Sequence, residues 1–258
     1  RYTVRMLEPG EDIKAAIDES VAVVTLTHAS FRSGACHDMK GITEKAHEAG
    51  ALTVWDISHS TGATWVDLSG DGVDFAVGCG YKYLGGGPGS PAFAYVRQDL
   101  QEAAQNPLSG WMSHADIMAF DPDYRPIDGI RRFLCGSPEV LALSVFETAL
   151  EVWDDVEPEV AHQKTRRLTG LFISLVKQEL AGHGIGVVTP EEDARRGGQV
   201  TLAHPEGEAI TNALVEAGVY CSFRPPNAIR FGFQPFPLSY EDVWQAVSRL
   251  RGVMEARS

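Results

Sequence analysis

Short, nearly continuous apolar runs recur through the first part of this chain at 21–27, 51–57 and 73–79. Their β-branched content and lack of polar alternation predict strands buried on both faces, as in parallel sheets. Between the first two runs, residues 37–50 read as a helix, with Met39, Ile42 and Ala46 on one face and Gly50 as the stop. Strand, helix, strand with short links predicts a parallel, helix-covered sheet. The run 91–96 returns after only a glycine loop, too short for a crossover helix, and should pair antiparallel with its predecessor.

Residues 98–137 lose all periodicity and are rich in Pro, Gly, Trp and Asp; the aromatics Trp111, Phe120, Tyr124 and Phe133 argue against disorder. Ser137-Pro138 has the form of a helix start, followed by a stripe of Val140, Leu141, Leu143, Phe146 and Leu150. A second long helix is expected over 160–180. The pattern then changes to short strands at 185–188, 199–202, 219–222 and 229–233, interleaved with helices at 207–217 and 241–255. The expected division is 1–150, part of an α/β large domain with a mainly parallel sheet, and 151–258, a smaller α+β domain with its connecting helices.

Composition narrows the classes. The chain has 258 residues, 44% hydrophobic and 22% charged, as expected of a soluble globular protein with ample length for a core. A formal net charge of −13 argues against nucleic acid or an anionic membrane as partner. No apolar stretch reaches the roughly 18–20 residues needed to span a bilayer, and no signal-peptide pattern opens the chain. Cys36, Cys79, Cys135 and Cys221 are scattered without CxxC spacing, so small buried hydrophobes are expected rather than zinc ligands or a disulfide framework. The expected compartment is the cytoplasm. Residues 1–7 read as strand-like and lack an initiator Met, as though continuing something.

Candidate chemistry begins at Lys82, which a buried strand delivers into the glycine-rich segment Tyr81-Lys82-Tyr83-Leu84-Gly85-Gly86-Gly87-Pro88-Gly89-Ser90. A lysine there either snorkels to water or loses solvation, lowers its pKa and attacks a carbonyl as a free amine. Asp56 closes the preceding strand. A lysine and a carboxylate at neighbouring strand ends are what pyridoxal phosphate (PLP) requires: the amine forms a Schiff base and the carboxylate keeps the pyridine nitrogen protonated. His59 follows three residues later, able to bond Asp56 or stack on a ring. Thr27-His28 ends the first strand at the same sheet edge, where ligands of open α/β sheets gather. Arg230 interrupts the apolar strand Ile229-Arg230-Phe231, which is costly unless it meets an anion or a buried carboxylate.

Thr25-Leu26-Thr27-His28, Arg32-Ser33-Gly34, Trp55-Asp56-Ile57-Ser58-His59-Ser60, Gly80-Tyr81-Lys82-Tyr83-Leu84, Gly86-Gly87-Pro88-Gly89, Leu108-Ser109-Gly110-Trp111 and Ile229-Arg230-Phe231-Gly232-Phe233 together resemble kynureninase. That family comprises PLP enzymes of the aspartate-aminotransferase fold type (fold type I). The resemblance implies hydrolysis of kynurenine, or its 3-hydroxy form, to the anthranilate and alanine, in tryptophan catabolism and the kynurenine pathway toward NAD biosynthesis. It implies that Lys82 carries the cofactor, Asp56 pairs with its ring nitrogen beside His59, and Thr27 lies near its ring oxygen. Tyr81 touches the phosphate and assists proton transfer, and Arg230 holds the carboxylate of the amino-acid substrate. Trp111 and Ser137 reach the phosphate of a neighbouring subunit, so a homodimer shares the active site. The family's front portion, with its stacking aromatic and main phosphate turn, has no counterpart here. A cysteine desulfurase, a class V-like aminotransferase, or an inactive fragment are the alternatives.

Overall fold

The computed structural model describes residues 2–8 and 10–257; Arg1, part of the strand-like reading of 1–7, lies outside them. Residues 2–7 pair with nothing in a sheet, and Tyr2, Val4 and Met6 are exposed, which corrects that reading.

Four strands form the first sheet in the order β1 (Val23–Thr27), β2 (Leu52–Asp56), β3 (Phe75–Cys79) and β4 (Ala92–Val96). The first three are parallel, with Thr27 opposite Asp56 and Asp56 opposite Val77; β4 runs antiparallel, as its short connection requires. Helix α1 (Met39–Glu48) starts where the Asp38 carboxylate accepts the Gly41 N–H at 3.0 Å. Its buried face of Met39, Ile42, Thr43 and Ala46 covers Trp55 and Ala76, and the Trp55 indole donates to Thr43 at 3.1 Å.

Only one face of this sheet is covered. Val23, Leu52 and Val77, aligned by the strand register on the other face, are 51%, 38% and 45% exposed. The expectation of a doubly buried β1 is therefore corrected: its apolar run is continuous, but its burial alternates. At the edge opposite Lys82, fully buried Asp74 binds His47 Nε2 at 2.9 Å, Arg97 Nη1 at 2.7 Å and the Thr53 N–H at 2.8 Å. These partners tie α1, β2, β3 and the end of β4 together.

Residues 98–137 contain only short 3-10 turns, and buried Arg132 orders them. Its guanidinium donates to the carbonyls of Gln101 and Glu102 at 2.8 and 2.6 Å. The aromatics contribute less than their number suggests, since Trp111 and Phe120 stand 52% and 87% exposed. Helix α2 (Val140–Glu151) begins two residues past Pro138 and buries no residue. Its stripe is not core: Val140, Leu141 and Val145 face solvent, while Phe146 packs on the glycine loop.

The remainder seals itself. Helix α3 (Pro158–Glu179) leads into β5 (Gly186–Val187), β6 (Gln199–Ala203), α4 (Gly207–Glu216), β7 (Ser222–Arg224), β8 (Ala228–Gly232) and α5 (Tyr240–Glu255). The second sheet is antiparallel, in the order β5-β6-β8-β7. Helix α5 is started by a reciprocal cap between Ser239 and Asp242. One face of the sheet and the three helices enclose Leu168, Phe172, Val200, Leu202, Leu214, Ile229 and Leu250. The register places Gln199, Thr201, Ser222 and Arg230 on the opposite face, toward the loops of the first sheet.

Candidate active site

Strand direction sets the first wall of the site. The parallel register brings Thr27 and Asp56 side by side at the carboxyl edge, with Val77 and Cys79 on the same face. The Thr27 hydroxyl donates to the Ala29 carbonyl at 3.0 Å and approaches the Asp56 carbonyl at 3.4 Å. From Cys79 the chain enters the glycine loop. A Cβ at Gly80 or Gly86 would come within 2.3 or 2.4 Å of Ser90 Oγ, and within 2.8 or 2.7 Å of the Phe146 ring. Glycine at these two positions lets the loop fold tightly and turn Lys82 across the sheet edge.

The second wall comes from β6–β8 and the segment after β8. A cleft of about 900 Å³ between the walls is lined by His59, Tyr81, Lys82, Gln199, Arg230 and Gln234, among others. Polar side chains of the second wall hold main-chain carbonyls of the first. Gln199 donates to Ser30 and Phe31 at 3.2 and 2.9 Å, Thr189 to Ser33 at 2.6 Å, and Gln234 to Lys82 at 2.8 Å. Gln199, Gln234 and Thr189 were not singled out in the sequence. Gln199 carried a signal related to that of Arg230, a polar residue heading an apolar strand rather than interrupting one, whereas Gln234 carried none.

Lys82 Nζ donates to Cys79 Sγ at 3.3 Å and lies 4.8 Å from the Tyr81 ring centroid. Burial works to lower its pKa, but the Tyr81 and Cys79 side chains outweigh it and hold the amine above its ordinary value. The expected depression is thus corrected: loss of water is offset by two groups that favour the ammonium. His59 behaves in the opposite sense. Burial, then the charges of Lys82 and Arg230, push it down to about 4, against smaller opposing effects of Asp56 and Gln199. The imidazole is neutral near pH 7, and its buried Nδ1 has no hydrogen-bond partner among the described residues. Asp56 does not supply one; its Oδ1 accepts the Ser58 N–H at 2.8 Å.

Arg230 is half-buried. Its Nη1 donates to the Phe31 carbonyl at 3.0 Å and its Nε to Ser222 Oγ at 3.3 Å. No carboxylate pairs with it among the described residues, which removes the buried ion pair as its explanation. Burial and neighbouring Arg224 lower its pKa, as expected for a cation waiting for an anion. The cleft lining holds Lys82, Arg224 and Arg230 and no Asp or Glu, in a chain of net charge −13. The local field therefore opposes the global one and favours an anionic ligand.

The structure thus brings His59, Tyr81, Lys82 and Arg230 into one cleft, with Thr27 and Asp56 at the adjoining strand ends. Trp111 and Ser137 do not line it; both are exposed on the irregular segment before α2.

Comparison with known proteins finds similarity along the whole chain. Residues 161–250 match the family model described as the kynureninase C-terminal domain. The chain is 43% identical over 257 residues to the kynureninase of Pseudomonas fluorescens, covering 100% of this chain and 62% of that protein. It spans about three fifths of the length of the curated relatives it matches. An apo cysteine desulfurase from Thermococcus onnurineus NA1 superposes with a TM-score of 0.80 at 16% identity, over 95% of this chain and 62% of that one. A C-DES variant with glycine covalently linked to its PLP cofactor gives 0.80 at 17% identity, over 93% and 62%. The kynureninase resemblance therefore runs the length of the chain, and the fold is that of fold-type I PLP-dependent enzymes, here with a mixed four-stranded sheet and an antiparallel four-stranded sheet.

Proposed function

We propose that this chain carries the lysine and the substrate-carboxylate site of a PLP-dependent kynureninase, a hydrolase that splits the Cβ–Cγ bond of kynurenine to give anthranilate and alanine. The observation that carries the reading is the cleft lined by Lys82, Arg224 and Arg230 without a carboxylate, set in an acidic chain. The residues present fit the cofactor: a primary amine faces the cleft, a carboxylate ends the adjoining strand, and a buried neutral imidazole keeps an unpartnered nitrogen there.

PLP, when bound, supplies an electron sink for charge developing at the substrate α-carbon. Lys82 provides its attachment and, once released, carries the proton to and from that carbon. Because its neighbours hold the amine protonated, it must first give up a proton. Asp56 is the anion for the ring nitrogen, and neutral His59, which feels both the Asp56 and Lys82 charges, does not add a third. Thr27 lies beside Asp56 for the ring oxygen, and Tyr81 serves the phosphate and proton transfer. Arg230, already fixed by Phe31 and Ser222, offers its remaining N–H groups to the substrate carboxylate as a planar fork.

Trp111 and Ser137, exposed and away from this cleft, suit a role in the neighbouring subunit's site, and with it a homodimer. The boundary between domains falls near residue 150, ahead of α3, and the working compartment is the cytoplasm. No helix among the described residues is long and apolar enough to cross a membrane. Cysteine desulfurases share the fold, but at far lower identity than the 43% to kynureninase.

The test is uptake of PLP by the purified chain, borohydride fixation, and mass mapping of the label, followed by a kynurenine assay. The label should map to Lys82. Lys82→Ala should lose both the label and turnover, the latter by on the order of 10³-fold or more. Turnover retained in Lys82→Ala, or a label placed elsewhere, overturns the reading.

A further inference from the structure

Cys79 is the last residue of β3, and its Sγ lies 3.3 Å from the Lys82 amine across a single turn. The thiol is half-buried, and its only other described contact is to the Ser58 carbonyl at 3.9 Å. The other cysteines lack such a neighbour among the described hydrogen bonds. Cys135 is exposed and meets the Phe133 carbonyl at 3.9 Å and the Asn106 amide nitrogen at 4.0 Å, neither of them a nucleophilic amine. Burial pushes Cys36 and Cys221 up to about 11, away from the reactive thiolate.

We propose that Cys79 and Lys82 form a reversible, peroxide-driven sulfur–nitrogen bridge that disables the lysine whenever no ligand occupies it. In the first step the Cys79 thiolate attacks hydrogen peroxide. The O–O bond breaks, an S–O bond forms, and hydroxide leaves and is protonated to water. Sulfur loses two electrons and peroxide gains them, giving a sulfenic acid. In the second step the unprotonated fraction of the Lys82 amine attacks that sulfur. An S–N bond forms, the S–O bond breaks, and the departing oxygen takes the proton shed by nitrogen as water leaves. A thiol reductant reverses the bridge by attacking sulfur and returning the amine. The 3.3 Å separation of sulfur and amine leaves only side-chain rotation between the first step and the second. The bridge requires this pair alone and stands independently of the cofactor reading.

Trypsin provides a direct measurement. Between Lys45 and Arg97 the only Lys or Arg is Lys82, so the free protein yields peptides 46–82 and 83–97. After hydrogen peroxide and digestion without reductant, the bridged chain should yield an uncut 46–97 peptide. Its mass should be about 2 Da below that of the unmodified segment, reflecting loss of two hydrogens. Dithiothreitol should restore cleavage after residue 82. Cys79→Ser should abolish the uncut peptide, and Cys135→Ser should leave it. If Cys79→Ser fails to fold, Lys82→Arg serves instead: peroxide should then add only oxygen at Cys79. In the unsubstituted chain, oxygen adducts on Cys79 with cleavage after Lys82 intact, or no change at Cys79, overturns the proposal.

Discussion

The two sheets of this molecule bury their apolar residues to different degrees. The second sheet packs one face against α3, α4 and α5, and Leu168, Phe172, Val200, Leu202 and Ile229 are fully sealed. The first packs one face on α1 and leaves Val23, Leu52 and Val77 of the other open, while α2 stands nearby with no buried residue. Similar local patterns thus produce a self-contained core in one case and a half-finished layer in the other. Lys82 and Arg230 face each other across the boundary between them. A site built this way takes rigidity from the sealed side and accessibility from the open one.

The sharpest way to break this comparison is through the sealed core. Phe172 touches Phe231 and Phe233 with ring centroids 4.7 and 5.2 Å apart. Phe172→Ala should cost about 3–5 kcal/mol in denaturant unfolding. A loss below about 1 kcal/mol would mean that the core is far looser than its burial indicates.

Acid should weaken the first unit next. His28 is buried against Trp55 and pushed down to about 4, chiefly by burial and then by His37. The native state holds it neutral while the unfolded chain, with a pKa near 6.5, takes a proton. The unfolded state therefore binds more protons between about pH 6.5 and pH 4, and stability must fall as pH drops through that window. The loss should be on the order of 2–3 kcal/mol, with His59 adding a smaller amount in the same direction because it is more open to solvent. Unfolding midpoints measured from pH 7 to pH 4 should show the slope, and His28→Gln should flatten most of it.

The smallest effect belongs to α2. Leu141 is 85% exposed, so Leu141→Ser should change stability by less than about 0.5 kcal/mol. A cost of several kcal/mol would show that this face is covered in solution and that the contrast between the two units is weaker than drawn.

How much of this could be read from residues alone follows the range of the interaction involved. Most strands and helices were legible because short apolar runs and period-3.6 stripes are local signals, and the antiparallel β4 followed from loop length, whereas β7 begins only at Ser222, the last residue of the run expected there. Lys82, Asp56 and Arg230 were legible because each breaks an apolar run or ends one. What covers α2 was not legible, because an apolar stripe states a need for burial without naming the partner. The direction of the Lys82 pKa was missed for a related reason. Burial alone argues for depression, and the Cys79 and Tyr81 groups that reverse it act through side-chain geometry. Gln234 was invisible because its partner lies 152 positions earlier in the chain.

The bonds that close the cleft have a consequence for how this sequence can drift. Gln199, Thr189, Arg230 and Gln234 all donate to main-chain carbonyls, those of Ser30, Phe31, Ser33 and Lys82. Any amino acid presents that acceptor, so residues 30–33 can exchange side chains and still be gripped. The donors have no such freedom, since each depends on the reach and polarity of one particular side chain. Variation should therefore accumulate on the loop that is held and be scarce at the four donor positions that hold it.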